Sequence, residues 1–318
     1  MRAAKSFFSA PAIRLLLRVL VTTSILVLIV RSINAQQAWR VMANAQADLL
    51  AAALVMQFAS TAISAYRWQL IMRNLQFGQS FTFYWRSYFK GMFFNQGLPT
   101  SIGGDAIRVL DVARCGFRKR DALYGVAIDR IAGLGALILL TFVAYVFDSA
   151  LLPLQVYRLM LLLTVLGLSG IASLLVLNRI SWLNRYSQWA FVKAISDRLD
   201  LAFANNRFML FILSILVPIF AMLGFYATGW ALGLRYDLMT YFAIVPPALI
   251  LTIIPASIAG WGVREGALVG LFSLIGADET IVLMMSLLYG ITLIIVSIPG
   301  LIVFLQGRQR IPTKLSDR

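Results

Sequence analysis

The chain contains no histidine and a single cysteine, Cys115, in 318 residues. Without histidine there can be no His-ligated metal, no Ser–His or Cys–His nucleophile pair and no imidazole proton relay. One cysteine excludes an intrachain disulfide and a cysteine-based zinc site. Charge is scarce too: 13% of residues are Asp, Glu, Lys or Arg, against about a quarter in an ordinary soluble domain. Few catalytic mechanisms survive this inventory, and no nucleotide or metal motif is recognisable. The expectation is a protein that is not an enzyme and needs no cofactor and no metal.

What the chain has instead is apolar sequence, 60% of its residues, gathered in runs too long for a soluble core. A helix needs roughly 20 mostly apolar residues to cross about 30 Å of hydrocarbon. Runs of that length cover about Ile13–Val30, Leu49–Met72, Ala122–Phe147, Val156–Leu177, Phe208–Leu232 and Thr280–Leu305. The first follows a basic start and could be a signal peptide cut after Ala35, but it is long for one and Ile33 is a poor small-residue match. An uncleaved first span is preferred. The predicted fold is all-α: a polytopic membrane protein with about six spanning helices, one transmembrane domain over residues 1–318 and no soluble domain attached.

The 28 basic residues outnumber the 13 acidic ones, for a net charge of +15. Nucleic acid is not the expected partner, because no groove-reading motif accompanies the charge. Lys and Arg sit in short loops beside the spans, as cytoplasmic retention of positive charge requires. The densest are Arg108 to Arg120 and the amphipathic segment 179–207, with Arg185, Lys193 and Arg198. Both termini are then expected in the cytoplasm.

That sidedness leaves two apolar stretches without room to cross. The region 79–118 is flanked by cytoplasm on both sides, and the region 238–277 by exterior on both sides. Each is expected to be a re-entrant hairpin, the two entering from opposite faces; two complete helices per hairpin would keep the same sidedness. Their turns match without gaps, Pro99-Thr100-Ser101-Ile102-Gly103-Gly104-Asp105-Ala106-Ile107-Arg108 against Pro255-Ala256-Ser257-Ile258-Ala259-Gly260-Trp261-Gly262-Val263-Arg264. Opposed, Gly/Pro-interrupted segments carrying one motif are the mark of an inverted repeat, and point to a transporter's binding site.

Broken backbone at membrane depth is tolerated only inside protein or around a wet cavity. Ser101 or Ser257 could cap the half-helix that follows, whose free N–H groups favour an anion. Gly103, Gly104 and Gly260 would allow close backbone approach. Arg108 and Arg264, expected a turn or two into those half-helices, would bind phosphate, although both could instead reach to headgroups from tight loops. Asp129 and Arg130 are charged residues within an apolar span, where ionisable groups usually face a cavity or a partner. They diverge by about 100° and so cannot simply pair with each other. Asp105 and Glu265 are weaker candidates, either of which could merely compensate an arginine.

Asn95-Gln96-Gly97-Leu98 followed by the first turn motif resembles the first signature of the lysylphosphatidylglycerol synthase transmembrane-region family. Asp129-Arg130-Ile131-Ala132-Gly133-Leu134 is similar to its second element, and Pro255 to Gly266 to its other signature. The resemblance implies a bacterial inner-membrane, flippase-like protein that moves an anionic phospholipid, a polyprenyl-linked molecule or another envelope lipid between leaflets. In longer relatives a soluble aminoacyl-transferase domain follows; here the chain ends at Arg318, which argues against synthetase activity. The expected partner is a membrane lipid with an anionic headgroup, with a homo-oligomer or an envelope-lipid enzyme as further possibilities. The alternative function is a non-transporting scaffold or accessory subunit of such an enzyme.

Overall fold

The computed structural model describes residues 35–97, 103–177, 190–253 and 259–307. The run Ile13–Val30, Ser101, Ser257 and the basic tail fall outside these residues. Those described form eleven helices and no strand: α1 (Ala35–Ala43), α2 (Ala47–Asn74), α3 (Phe81–Gly97), α4 (Gly103–Arg114), α5 (Lys119–Phe147), α6 (Leu154–Leu174), α7 (Ala190–Ala202), α8 (Arg207–Ala231), α9 (Leu238–Leu251), α10 (Val263–Ser273) and α11 (Glu279–Leu305). Five of them, α2, α5, α6, α8 and α11, are long and apolar enough to cross a membrane. They coincide with the predicted spans to within three residues at each end. The chain is a polytopic α-helical membrane protein.

Its outer surface explains why. Leu162, Leu163 and Leu166 of α6 and Ile291, Ile294, Ile298 and Ile302 of α11 all point outward, exposed. A soluble monomer rarely tolerates so continuous an apolar face; hydrocarbon welcomes it. The interior is held by packing and by polar groups that find partners, since no water is present to satisfy them. Phe225 stacks on Tyr289 with ring centroids 3.5 Å apart. Tyr145 Oη donates to the Ala243 carbonyl (2.8 Å) and Tyr241 Oη to the Leu234 carbonyl (3.0 Å).

Helices α2 and α8 run antiparallel through the centre. At one end Gln46 N donates to the Ala231 carbonyl (3.1 Å); at the other Asn74 Nδ2 donates to the carbonyls of Ala202 and Asn205. These ends define two faces of the molecule. The Asn74 end gathers Arg73, Arg118, Lys119, Arg120, Lys193, Arg198 and Arg207. Among the described residues, the Gln46 end carries Asp48, Asp148, Asp237, Asp278 and Glu279 against Arg40, Arg158 and Arg235. Two of those acids start helices: Asp237 accepts from Thr240 N, and Asp278 from Thr280 N and Ile281 N.

The two regions between spans each fold as a pair of short helices. Helices α3 and α4 have 17 and 12 residues, α9 and α10 have 14 and 11. At 1.5 Å per residue each falls short of about 30 Å of hydrocarbon. In the first pair the helices almost touch backbone to backbone, because a Cβ on Gly104 would overlap the Gly91 carbonyl. The tip of the second pair turns through left-handed residues, Ala259 (φ 51°), Gly260 (φ 83°) and Gly262 (φ 84°).

Candidate functional site

The close approach of α3 and α4 carries charged side chains into the centre. On α4, Asp105 and Arg108 lie one turn apart and pair directly, Arg108 Nη1 to Asp105 Oδ1 at 3.1 Å. Arg108 Nη2 also donates to Asp129 Oδ2 of α5 at 2.7 Å. Asp129 Oδ1 accepts from Arg67 Nε of α2 at 3.0 Å, and the Asp129 carbonyl from Arg67 Nη2 at 3.1 Å. The neighbouring Arg130 points elsewhere, as a 100° step demands, and its Nε reaches Asp105 Oδ2 at 2.8 Å. Among the described residues three arginines thus share two carboxylates, an excess of one positive charge.

The cluster is buried but not sealed. Asp129 is 1% exposed and Arg108 3%, whereas over half of the Arg130 side chain, 54%, is exposed. Arg108 Nε and Arg67 Nη1 have no hydrogen-bond partner among the described residues. The Arg108 guanidinium lies between two aromatic rings, 4.1 Å from the Trp68 centroid and 4.6 Å from that of Tyr88. A cavity of about 190 Å³ opens onto Asp105, Arg108 and Arg130. Its other walls are Gln57, Ser60, Thr61 and Ser64 of α2, Tyr88, Gly91, Met92, Asn95 and Gln96 of α3, and Leu293 of α11. Such a polar hollow amid apolar spans is costly unless something fills it.

The second pair of helices is arranged differently. Glu265, fully buried, accepts Arg264 Nε at 3.0 Å and Nη2 at 2.6 Å on one oxygen, and Gly262 N at 2.6 Å on the other. Ser286 of α11 completes the set, accepting Arg264 Nε on its hydroxyl and Nη2 on its carbonyl. This cluster is neutral and internally paired, and Arg264 does not line the cavity. The helical register also departs from expectation. Arg108 is the sixth residue of α4, but Arg264 is only the second of α10. The positive φ angles at Ala259, Gly260 and Gly262 delay the start of α10, so matched motif positions occupy different turns. One hydrogen bond leads from this side toward the cavity, from Tyr289 Oη to Gln57 Oε1.

Of the glycines, Gly103 opens α4, and Gly104 N donates to Asn95 Oδ1 at 2.7 Å while its bare Cα admits Gly91. Gly260 packs its Cα against Thr252. Several participants escaped sequence reasoning. Arg67 reads as the end of a span, yet it lies seven residues inside α2. Gln57, Ser60, Thr61 and Ser64 recur at helical spacing on one face of α2, a polar stripe that was there to be found. Lys90 and Asp111 form a further buried pair at 2.6 Å between α3 and α4, joined by Ser87 Oγ at 2.9 Å. Close by, burial and then the Asp111 carboxylate push the Cys115 thiol above its ordinary pKa; thiolate chemistry is disfavoured there.

The model of the lysylphosphatidylglycerol synthase TM region family matches residues 15–300, nearly the whole chain. The chain belongs to that family. No curated protein matches it at a significant level.

Proposed function

We propose that the protein is a lipid flippase or transporter of the bacterial inner membrane, with its headgroup site in the cavity at Arg108 and Arg130. The observation that supports this reading most is the charge surplus: three arginines against two carboxylates around a polar hollow within apolar helices. An anion completes that balance, and the Arg108 Nε–H, without a partner among the described residues, is a donor suited to a phosphate oxygen. Membership of a lipid-related family points the same way. The substrate is then an anionic phospholipid, a polyprenyl-linked phosphate or another envelope lipid, whose tails stay in hydrocarbon as the headgroup moves. The chemistry is binding and transfer, with no covalent step.

The charge difference between the two ends supports placing the basic Asn74 face in the cytoplasm. Both termini then lie inside, and the two short helix pairs enter as opposed re-entrant hairpins. Arg264 and Glu265 pin the second hairpin to α11 rather than hold the substrate. The test is reconstitution into liposomes with a fluorescent anionic lipid. Arg108→Gln and Arg130→Gln are expected to abolish transfer while inserting normally; transfer at the wild-type rate in both would sink the reading.

A second reading rests on the neutral Arg264–Glu265–Ser286 cluster, whose charges are satisfied by neighbouring helices. It makes the chain a non-transporting accessory subunit of an envelope-lipid enzyme. Co-purification with one fixed partner, together with no transfer by the isolated protein, would favour it.

A further inference from the structure

A second concavity lies at the Gln46 end of the molecule, where α1, the start of α2 and the α8–α9 turn meet. It measures about 300 Å³, and Arg40 and Arg235 stand in its wall with Asn44, Gln46 and Trp230. Apart from Arg158, the other charged residues described at this end are acidic, so retention of positive charge on one side of the membrane does not account for the two arginines. Among the described residues no carboxylate lies within 4.0 Å of either guanidinium. The nearby acid Asp237 is occupied instead in capping α9 through Thr240 N.

The surroundings hold the pair ready without neutralising it. The Arg235 guanidinium lies 4.5 Å over the Trp230 ring, and that ring is fixed by its Nε1–H donating to the Tyr236 carbonyl at 2.9 Å. Three carbonyls at the end of α8 already accept backbone N–H groups. Leu234 N donates to Gly229 O, Gly233 N to Trp230 O and Gln46 N to Ala231 O. Gly233, at φ 90°, makes that closure possible by taking the left-handed cap position. Next to Arg40 on α1, Trp39 is 74% exposed, and tryptophan favours the depth of the headgroups.

We propose that this concavity binds one phosphate anion, that of a phospholipid headgroup in the adjacent leaflet, between Arg40 and Arg235. Two guanidinium groups, one set in place by its ring, match the oxygens of a phosphodiester better than ammonium groups would. The cavity volume is at the lower end for a small-ligand site, enough for a headgroup but not for a whole lipid. The site goes beyond the transport reading and does not depend on it, since a bound lipid here requires no movement between leaflets.

The test is native mass spectrometry of the full chain, released from nanodiscs of phosphatidylcholine with a minor share of phosphatidylglycerol. The double variant Arg40→Gln/Arg235→Gln is expected to retain one phosphatidylglycerol fewer than wild type, with unchanged phosphatidylcholine. Each single variant should weaken retention by roughly tenfold, the factor that one charge-assisted hydrogen bond carries. Arg158→Gln, an exposed arginine of the same face, should retain the full number. Equal retention in the double variant, or equal loss in Arg158→Gln, overturns the proposal. Inorganic phosphate added to protein in pure phosphatidylcholine distinguishes the source. A rise in thermal stability that needs Arg40 and Arg235 would assign the site to free phosphate and overturn the lipid assignment; no rise supports the headgroup. Arg108→Gln should keep this lipid even if it loses transfer. If Arg108→Gln removes the same lipid, there is no separate site.

Discussion

Among the described residues, Asp129→Asn should be one of the most damaging substitutions of a charged side chain. The Asp129 carboxylate accepts hydrogen bonds at 3.0 Å from Arg67 and 2.7 Å from Arg108, and both arginine side chains are only 4% exposed. An asparagine keeps the shape but has one acceptor oxygen and no charge, so Arg67 loses its carboxylate and keeps only the Asp129 carbonyl, while Arg108 is left with Asp105 as its counter-ion. Removing one member of a buried pair costs about 3–5 kcal/mol. With one carboxylate serving two cations, the upper end of that range applies, out of a total stability of roughly 5–15 kcal/mol. Asp121→Asn is the control. It breaks an ion pair with Arg198 whose side chains are 37% and 32% exposed, and exposed pairs contribute about 0–1 kcal/mol. Denaturant titration in mixed micelles measures both. A double variant, Arg67→Gln/Asp129→Asn, should recover at least about 1 kcal/mol relative to the sum of its parts, because it removes one charge of each sign. If Asp129→Asn unfolds at the same denaturant concentration as Asp121→Asn, the buried cluster does not hold the helices together and the account given above is wrong.

Two further substitutions probe the first hairpin. Gly104→Val should separate α3 from α4, because even its Cβ would overlap the Gly91 carbonyl; loss of transfer together with a cost of at least about 1–3 kcal/mol is expected, read by thermal unfolding and the liposome assay. Lys90→Met should cost about 3 kcal/mol by leaving Asp111, 1% exposed as a side chain, among the described residues with Ser87 and with Arg114, whose exposed guanidinium lies 3.5 Å away, and adding Asp111→Asn should restore much of it in the same unfolding measurement.

Much of the architecture could be read before any coordinates. The five long helices are legible because hydrocarbon imposes length and apolarity together, and few other constraints leave so plain a trace. The pairs of short helices were legible from Pro and Gly and from loop charge. Side-chain partners were not. Asp129 and Arg130 stand out as charges in an apolar run, but nothing local says that they face different partners on different helices, Arg67 and Arg108 for one and Asp105 for the other. Arg67 carries little signal in sequence, because a single arginine near the end of an apolar run resembles a boundary anchor; its depth depends on where α2 stops, at Asn74. The polar stripe of α2 was visible in principle, but hydroxyls that bond their own helix, as Ser64 Oγ does to the Ser60 carbonyl, disturb hydropathy very little.

The repeat itself shows how far sequence symmetry can part from electrostatic symmetry. Each half places an acid at the third residue of its second short helix, Asp105 in α4 and Glu265 in α10, where the helix dipole favours it. Each acid also pairs with the motif arginine. What differs is the use of the second carboxylate oxygen. In α4 it receives Arg130; in α10 it bends back to Gly262 N and closes a turn that three left-handed residues have already tightened. The first use brings in another cation and leaves a positive surplus beside a cavity. The second spends the oxygen on backbone and leaves neutrality. Since an anion is drawn to uncompensated charge and not to motif identity, the two halves are not two copies of one site. The first pair of short helices sets its charged residues beside a cavity, whereas the second is pinned to α11 through Ser286.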